Sequence, residues 1–72
     1  MKTLLTYQTK GGKYRKELSI DDNGYYSIIN YKNNDTTGIN SLGTKDHGKA
    51  MEALNKEIKM AAYYDNINLT KL

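Results

Sequence analysis

The sequence predicts an α+β domain in which a three-stranded antiparallel sheet, with a fourth strand left open, packs on one C-terminal amphipathic helix. Three observations predict it. Two turn signals, Gly11-Gly12 and Asp21-Asp22-Asn23-Gly24, separate three runs rich in β-branched and aromatic residues. One long stretch near the C-terminus switches to helical spacing. No repeat or break in composition divides the 72 residues, so a single domain accounts for 1–72.

The first strand is expected over 3–9 (TLLTYQT) and the second over 13–20 (KYRKELSI). Gly11 and Gly12 between them can take the positive φ angles of a two-residue hairpin turn. In that hairpin Thr9 faces Tyr14, Tyr7 faces Lys16 and Leu5 faces Leu18. Period-two alternation then puts Leu5, Tyr7, Tyr14, Leu18 and Ile20 on an apolar face. Leu4, Thr6, Gln8, Lys10, Lys13, Arg15 and Glu17 fall on the other.

The third strand, 25–32 (YYSIINYK), is the strongest in the chain, and its register is open. A two- or four-residue loop before it turns Tyr25, Ile29 and Tyr31 to the core. A three-residue loop with Gly24 in the left-handed region turns Tyr26 and Ile28 inward instead. Residues 33–43 read as a polar connection, and 37–42 are a candidate short fourth strand.

The helix is expected over 45–64, with Thr44 as N-cap and Asp46 in the first turn. Met51, Leu54, Ile58, Ala61 and Tyr64 follow its apolar stripe. Lys45, Lys49, Glu52, Lys56 and Lys59 lie off it, with Glu52 and Lys56 spaced as an i,i+4 pair. A small sheet needs a lid, so the stripe reads as core. The tail, 66–72, either docks as an extended segment or frays.

Composition narrows the function classes. Leu and Ile number 13, with no Val, Phe or Trp, and seven Tyr supply the missing bulk. Buried Tyr needs a partner for its hydroxyl, so the core should have wet edges. With no Cys, thiolate chemistry, disulfides and zinc-thiolate sites are excluded. The one His, His47, reads as a first-turn helix residue facing water. Asp21 and Asp22 belong to a turn, and Gly11-Gly12 lacks the surroundings of a phosphate loop. The expectation is a protein without catalytic residues, metal or cofactor. No apolar run approaches the ~18 residues of a membrane span, and no signal-peptide core follows Met1. The expected location is the cytoplasm of a bacterial host cell.

Charge points to a surface function. Eleven Lys and Arg oppose eight Asp and Glu, for a net charge of +3. The excess gathers at 10–16, where Lys10, Lys13, Arg15 and Lys16 meet no acid. Lys10, Lys13 and Arg15 are expected on the outward face, with Lys2 and Lys32 extending the patch. Such a face suits phosphates, and Tyr26, if outward, could stack on a base. Lys on an exposed strand also discourages aggregation, which is the competing reason for these charges.

The order of strands, followed by Leu42-Gly43-Thr44 leading into an Ala-containing helix, resembles the AP2-type and integrase arm-type DNA-binding domains. The likeness rests on KYRKELSI, the DDNG turn, GYYSIINY and INSLGTKDHGKAMEALNKEI, over about 13–60. It implies a sheet laid across the major groove, with Lys13, Arg15 and Lys32 facing DNA and Lys10 near the turn. The short chain without Pro or Cys, with eight Asn and ten Lys, also looks like small proteins of phages and mobile elements. That likeness implies inhibition of a host defence system, in the anti-CRISPR manner, or an oligomeric sponge for a nucleotide.

The leading expectation is a non-enzymatic module that binds nucleic acid or a nucleoprotein through Lys10, Lys13, Arg15 and Lys32, with Tyr26 stacking. The alternative is an inhibitor of a host defence protein that acts by protein contact through Tyr26, Tyr63 or Tyr64.

Overall fold

The computed structural model describes all 72 residues. Strand β1 (Lys2–Gln8) pairs with β2 (Tyr14–Ile20), β2 with β3 (Tyr26–Lys32), and β3 with β4 (Asp35–Ser41). Helix α1 (His47–Asp65) follows, and a two-residue strand β5 (Thr70–Lys71) returns to the free edge of β1. The sheet is antiparallel throughout, in the order β4-β3-β2-β1-β5, and the fold is α+β. No helix is long and apolar enough to cross a membrane.

The first hairpin has the register that the sequence predicts, with Leu5 opposite Leu18 and Tyr7 opposite Lys16. Its turn is wider than a two-residue one. Gly12 N donates to Thr9 O at 2.8 Å and Thr9 N to Tyr14 O at 3.0 Å, so residues 10–13 form the loop. Gly11, at φ 88°, holds the third position of the inner turn, where a positive φ favours glycine. Nearer the chain start, a bulge between Thr3 and Leu5 makes Leu4 the extra residue.

The second hairpin settles the register of β3. Asp21 N donates to Tyr25 O at 2.9 Å, which leaves Asp22, Asn23 and Gly24 as a three-residue loop. Gly24 stands at φ 88°, and the Asp21 carboxylate accepts from the backbone N–H of Asn23 and Tyr25. Tyr26 therefore faces Ile20, and Ile28 faces Leu18, on the helix side. The fourth strand exists and begins at Asp35, earlier than the predicted 37. Asn33 and Asn34 alone make the turn before it, at φ 52° and 69°. Asn tolerates this left-handed region better than most residues, so an Asn pair suits a tight hairpin.

The N-cap of α1 is Asp46, where Thr44 was expected. Asp46 Oδ1 accepts from Lys49 N at 3.0 Å, and Thr44 Oγ1 in turn accepts from Asp46 N. A carboxylate caps the helix and also faces the positive end of its dipole. At the other end Asn66 adopts φ 55°, and the N–H groups of Asn66 and Ile67 both reach Ala61 O. The chain thereby reverses. Leu72 N then donates to Thr6 O, so the tail docks on β1.

The core is small. Only six residues are buried: Leu18, Ser19, Tyr26, Ile28, Ala50 and Leu54. Leu5, Tyr7, Ile20, Leu42, Met51, Ala53 and Ile58 pack around them. The helix stripe is as expected through Ile58, but Tyr64 is exposed. Total stability for a chain of this length is roughly 4–11 kcal/mol. Leu54→Ala should cost about 2–5 kcal/mol, a large part of that total. Met60→Ala, on the outer side of the same helix, should cost less than about 0.5 kcal/mol. Urea unfolding checks the contrast, and equal losses would contradict this view of the core.

Candidate functional site

Four cross-strand layers run along the helix side of β2 and β3. Ile20–Tyr26 and Leu18–Ile28 are apolar and carry the helix. The next layer, Lys16–Asn30, is polar. The last, Tyr14–Lys32, lies beside the 10–13 and 33–34 turns. Apolar packing thus stops halfway along the sheet.

A polar network takes over where it stops. Lys16 Nζ donates to Asn30 Oδ1 at 2.6 Å and to Glu57 Oε1 at 3.2 Å, and Asn40 Nδ2 donates to Glu57 Oε2 at 2.9 Å. The network ties α1 to β2, β3 and β4. Beyond it the helix and the returning tail stand off from the sheet and leave a cleft of about 260 Å³. Tyr14, Lys16 and Asn30 line its sheet side, and Ala61, Ile67 and Leu69 the other.

Basic side chains gather at the mouth of this cleft. Lys13 Nζ lies 5.4 Å and Lys32 Nζ 5.8 Å from the centroid of the Tyr14 ring. Ammonium groups at this range are attracted to a ring face, by about 0.5–1 kcal/mol when exposed. Asn33 N donates to Lys13 O at 2.8 Å, which holds the two turns together. Lys10 and Lys13 also line a shallow groove shared with Tyr14 and residues 66–68. None of these three lysines has a carboxylate within 4.0 Å, because the ion pairs are Arg15–Glu17 and Lys16–Glu57. The i,i+4 pair expected between Glu52 and Lys56 is not closed.

Arg15 stands apart. It projects from the open face of the sheet, with its guanidinium carbon 4.2 Å from the Tyr31 ring centroid. Its Nε lies 3.1 Å from Glu17 Oε2, and Nη1 donates to Asn34 Oδ1 at 3.2 Å. Its charge is opposed by Glu17 and one of its donors is held by Asn34, although Nε itself is buried without a hydrogen-bond partner.

The basic outer face expected from the sequence is therefore not formed. Of Lys10, Lys13, Arg15 and Lys32, only Arg15 lies on it. Alternation from Ile28 puts Lys32 on the helix side. Lys10 and Lys13 belong to a four-residue loop and follow the turn, not the pleat. The structure does bring Lys10, Lys13 and Lys32 together, around Tyr14 at one end of the sheet. Tyr14 was not a predicted site residue. Its place in sequence, next to Lys13 and opposite Lys32, was the available signal.

Tyr26, expected as a stacking or contact residue, is 8% exposed and belongs to the core. Its hydroxyl lies 3.3 Å from His47 Nδ1, with the rings edge-on at 5.9 Å. This supplies the partner a buried phenol needs. Tyr63 and Tyr64 are 83% and 71% exposed and pack edge-to-face at 4.9 Å on the last turn of α1. No protein-family model, curated protein or solved structure matches the chain.

The network at Lys16 should be measurable. Both side chains of the Lys16–Glu57 pair keep partial exposure, 17% and 24%, so solvent and salt screen it. A double-mutant cycle with Lys16→Met and Glu57→Gln should give a coupling of about 0.5–1 kcal/mol. Urea titrations at low and high salt check it. The coupling should shrink in high salt, and a coupling near zero at low salt would refute the network.

Proposed function

We propose that this chain is a non-enzymatic nucleic-acid-binding module that grips phosphates with Lys10, Lys13 and Lys32 at the turn end of its sheet. The observation that carries the reading is the pair of ammonium groups beside the Tyr14 ring, with no carboxylate to neutralise either one. Unpaired lysines around an aromatic ring suit a polyanion with stackable bases. Arg15 acts from the opposite side of the same turns, holding Asn34 and so the shape of the β3–β4 loop.

Release of counterions makes such binding steeply salt-dependent. Three phosphate contacts predict a slope of log affinity against log salt of about −2 to −3. Fluorescence anisotropy with labelled oligonucleotides at several salt concentrations measures it. Each of Lys10→Gln, Lys13→Gln and Lys32→Gln should weaken binding and reduce the slope by about one. Lys56→Gln, on the outside of the helix, should change neither. Absence of binding to both single- and double-stranded probes at low salt would overturn the reading.

A second reading is favoured by one separate feature. Tyr63, Tyr64 and the half-exposed Met60 form an aromatic and sulfur-bearing knob at the end of α1, the composition of an interface hot spot. It supports an inhibitor of a phage or mobile-element type that acts on a host defence protein. Capture of one host protein from nuclease-treated lysate, lost in Tyr63→Ala/Tyr64→Ala, would favour it. Capture that survives both substitutions would count against it.

A further inference from the structure

Gly38 stands beside a β-bulge at Thr37, but neither a positive φ nor a close neighbour requires glycine there. Its φ is not in the positive range, and a Cβ built on it meets nothing within 4 Å. It sits inside β4, opposite Asn30 in the Lys16–Asn30 layer. Glycine in a strand interior costs stability and often marks a close approach by another group. Here it lines the 260 Å³ cleft beside Thr37 and leaves its own position on that wall open.

Asp65 is a second residue that stability does not explain. It is the last residue of α1, where the helix dipole is negative, and the last turn contains no basic residue. A carboxylate there is repelled by the dipole. It forms no ion pair, and it too lines the cleft. Across from it Asn30 offers unused donors. Lys16 Nζ can only donate, so the amide atom facing it is the oxygen, and Nδ2 points away without a protein acceptor.

The cleft therefore presents a free amide donor, a free carboxylate acceptor and apolar walls, next to an aromatic ring flanked by two ammonium groups. From this arrangement the geometry points to a pocket for one unpaired nucleobase bearing an exocyclic amine, with its phosphates on Lys13 and Lys32. The cleft is smaller than the roughly 300–1,000 Å³ that drug-sized ligands fill, which suits a single base better than a whole dinucleotide. A carboxylate accepts from the amine of cytosine, adenine or guanine. It meets the carbonyl-flanked N–H of thymine or uracil less well. A base paired in a duplex cannot enter.

This inference rests on the nucleic-acid reading above and specifies its ligand as single-stranded. The test uses short oligothymidylates carrying one central adenine, cytosine or guanine, the all-thymine strand, and the corresponding duplexes. Affinities are measured by anisotropy at fixed low salt. The amine-bearing single strands should bind about tenfold tighter than either the all-thymine strand or the duplexes, a typical effect of seating one base. Gly38→Val fills the open wall and suits a strand. It should melt no lower than the parent, keep the salt slope and lose the tenfold preference. Asp65→Asn should also melt no lower and should lose the discrimination against thymine. Equal affinities for all probes, or a preference that survives both substitutions, would overturn the pocket while leaving the phosphate-binding reading intact. No binding to any probe would overturn both.

Discussion

The structure depends on one buried contact between layers, the Leu18–Ile28 pair of the sheet beneath Ala50 and Leu54 of the helix. Tyr26 completes the cluster, and every other apolar group is at its margin or in solvent. Two turns of helix are enough to cover it, because Ala50 lets the backbone approach and Leu54 fills the space. Ile58 adds a last apolar contact at the margin, and beyond it α1 has no apolar floor to settle on. Its second half meets Lys16 and Asn30, is tied by Glu57, and ends over a cleft. A small, lopsided core thus divides the molecule into a packed end and a wet end. The packed end is closed by the Asp46 cap and the Tyr26–His47 contact. The wet end holds Lys10, Lys13 and Lys32, none of them ion-paired.

That division also limits the kinds of chemistry the chain is suited to. Marginal stability leaves little room for burying charged groups without partners. Lys16, the lysine nearest the core, accordingly has Glu57 and Asn30. Lys10, Lys13 and Lys32 remain in solvent, where an unpaired charge costs little and is available to a partner. The tail contributes twice. It covers the edge of β1 through Thr70 and Leu72, and it supplies Ile67 and Leu69 to the cleft wall.

The elements were largely legible in the sequence because turn chemistry names them. Gly11-Gly12 fixed the pairing of the first hairpin, since only one register places Leu5 beside Leu18. The register of β3 was not legible. Tyr25-Tyr26 and Ile28-Ile29 are apolar doublets, so alternation favours neither face, and the loop count decides. That uncertainty reached the site, because it governs both Tyr26 and Lys32. Thr44 and Asp46 are both good caps, and the choice between them depends on where the chain leaves Leu42 to meet the sheet. The cleft was illegible for a different reason: its walls come from residues 14–38 and 61–69, which no local pattern relates. Its two clues were local all the same, a glycine inside a strand and an aspartate at a helix C-terminus, each against the rule for its place.

The central claim is that the turn end of the sheet, and not its open face, is the working surface. Amide chemical-shift mapping during titration with a short single-stranded oligonucleotide tests this most directly. The account predicts perturbation at Lys10, Lys13, Tyr14, Lys32 and Asn33 and along residues 65–69, with Ser27, Ile39 and Ser41 unmoved. Perturbation centred on Ser27, Ile39 and Ser41 of the open face, or no perturbation at any ratio, would contradict it.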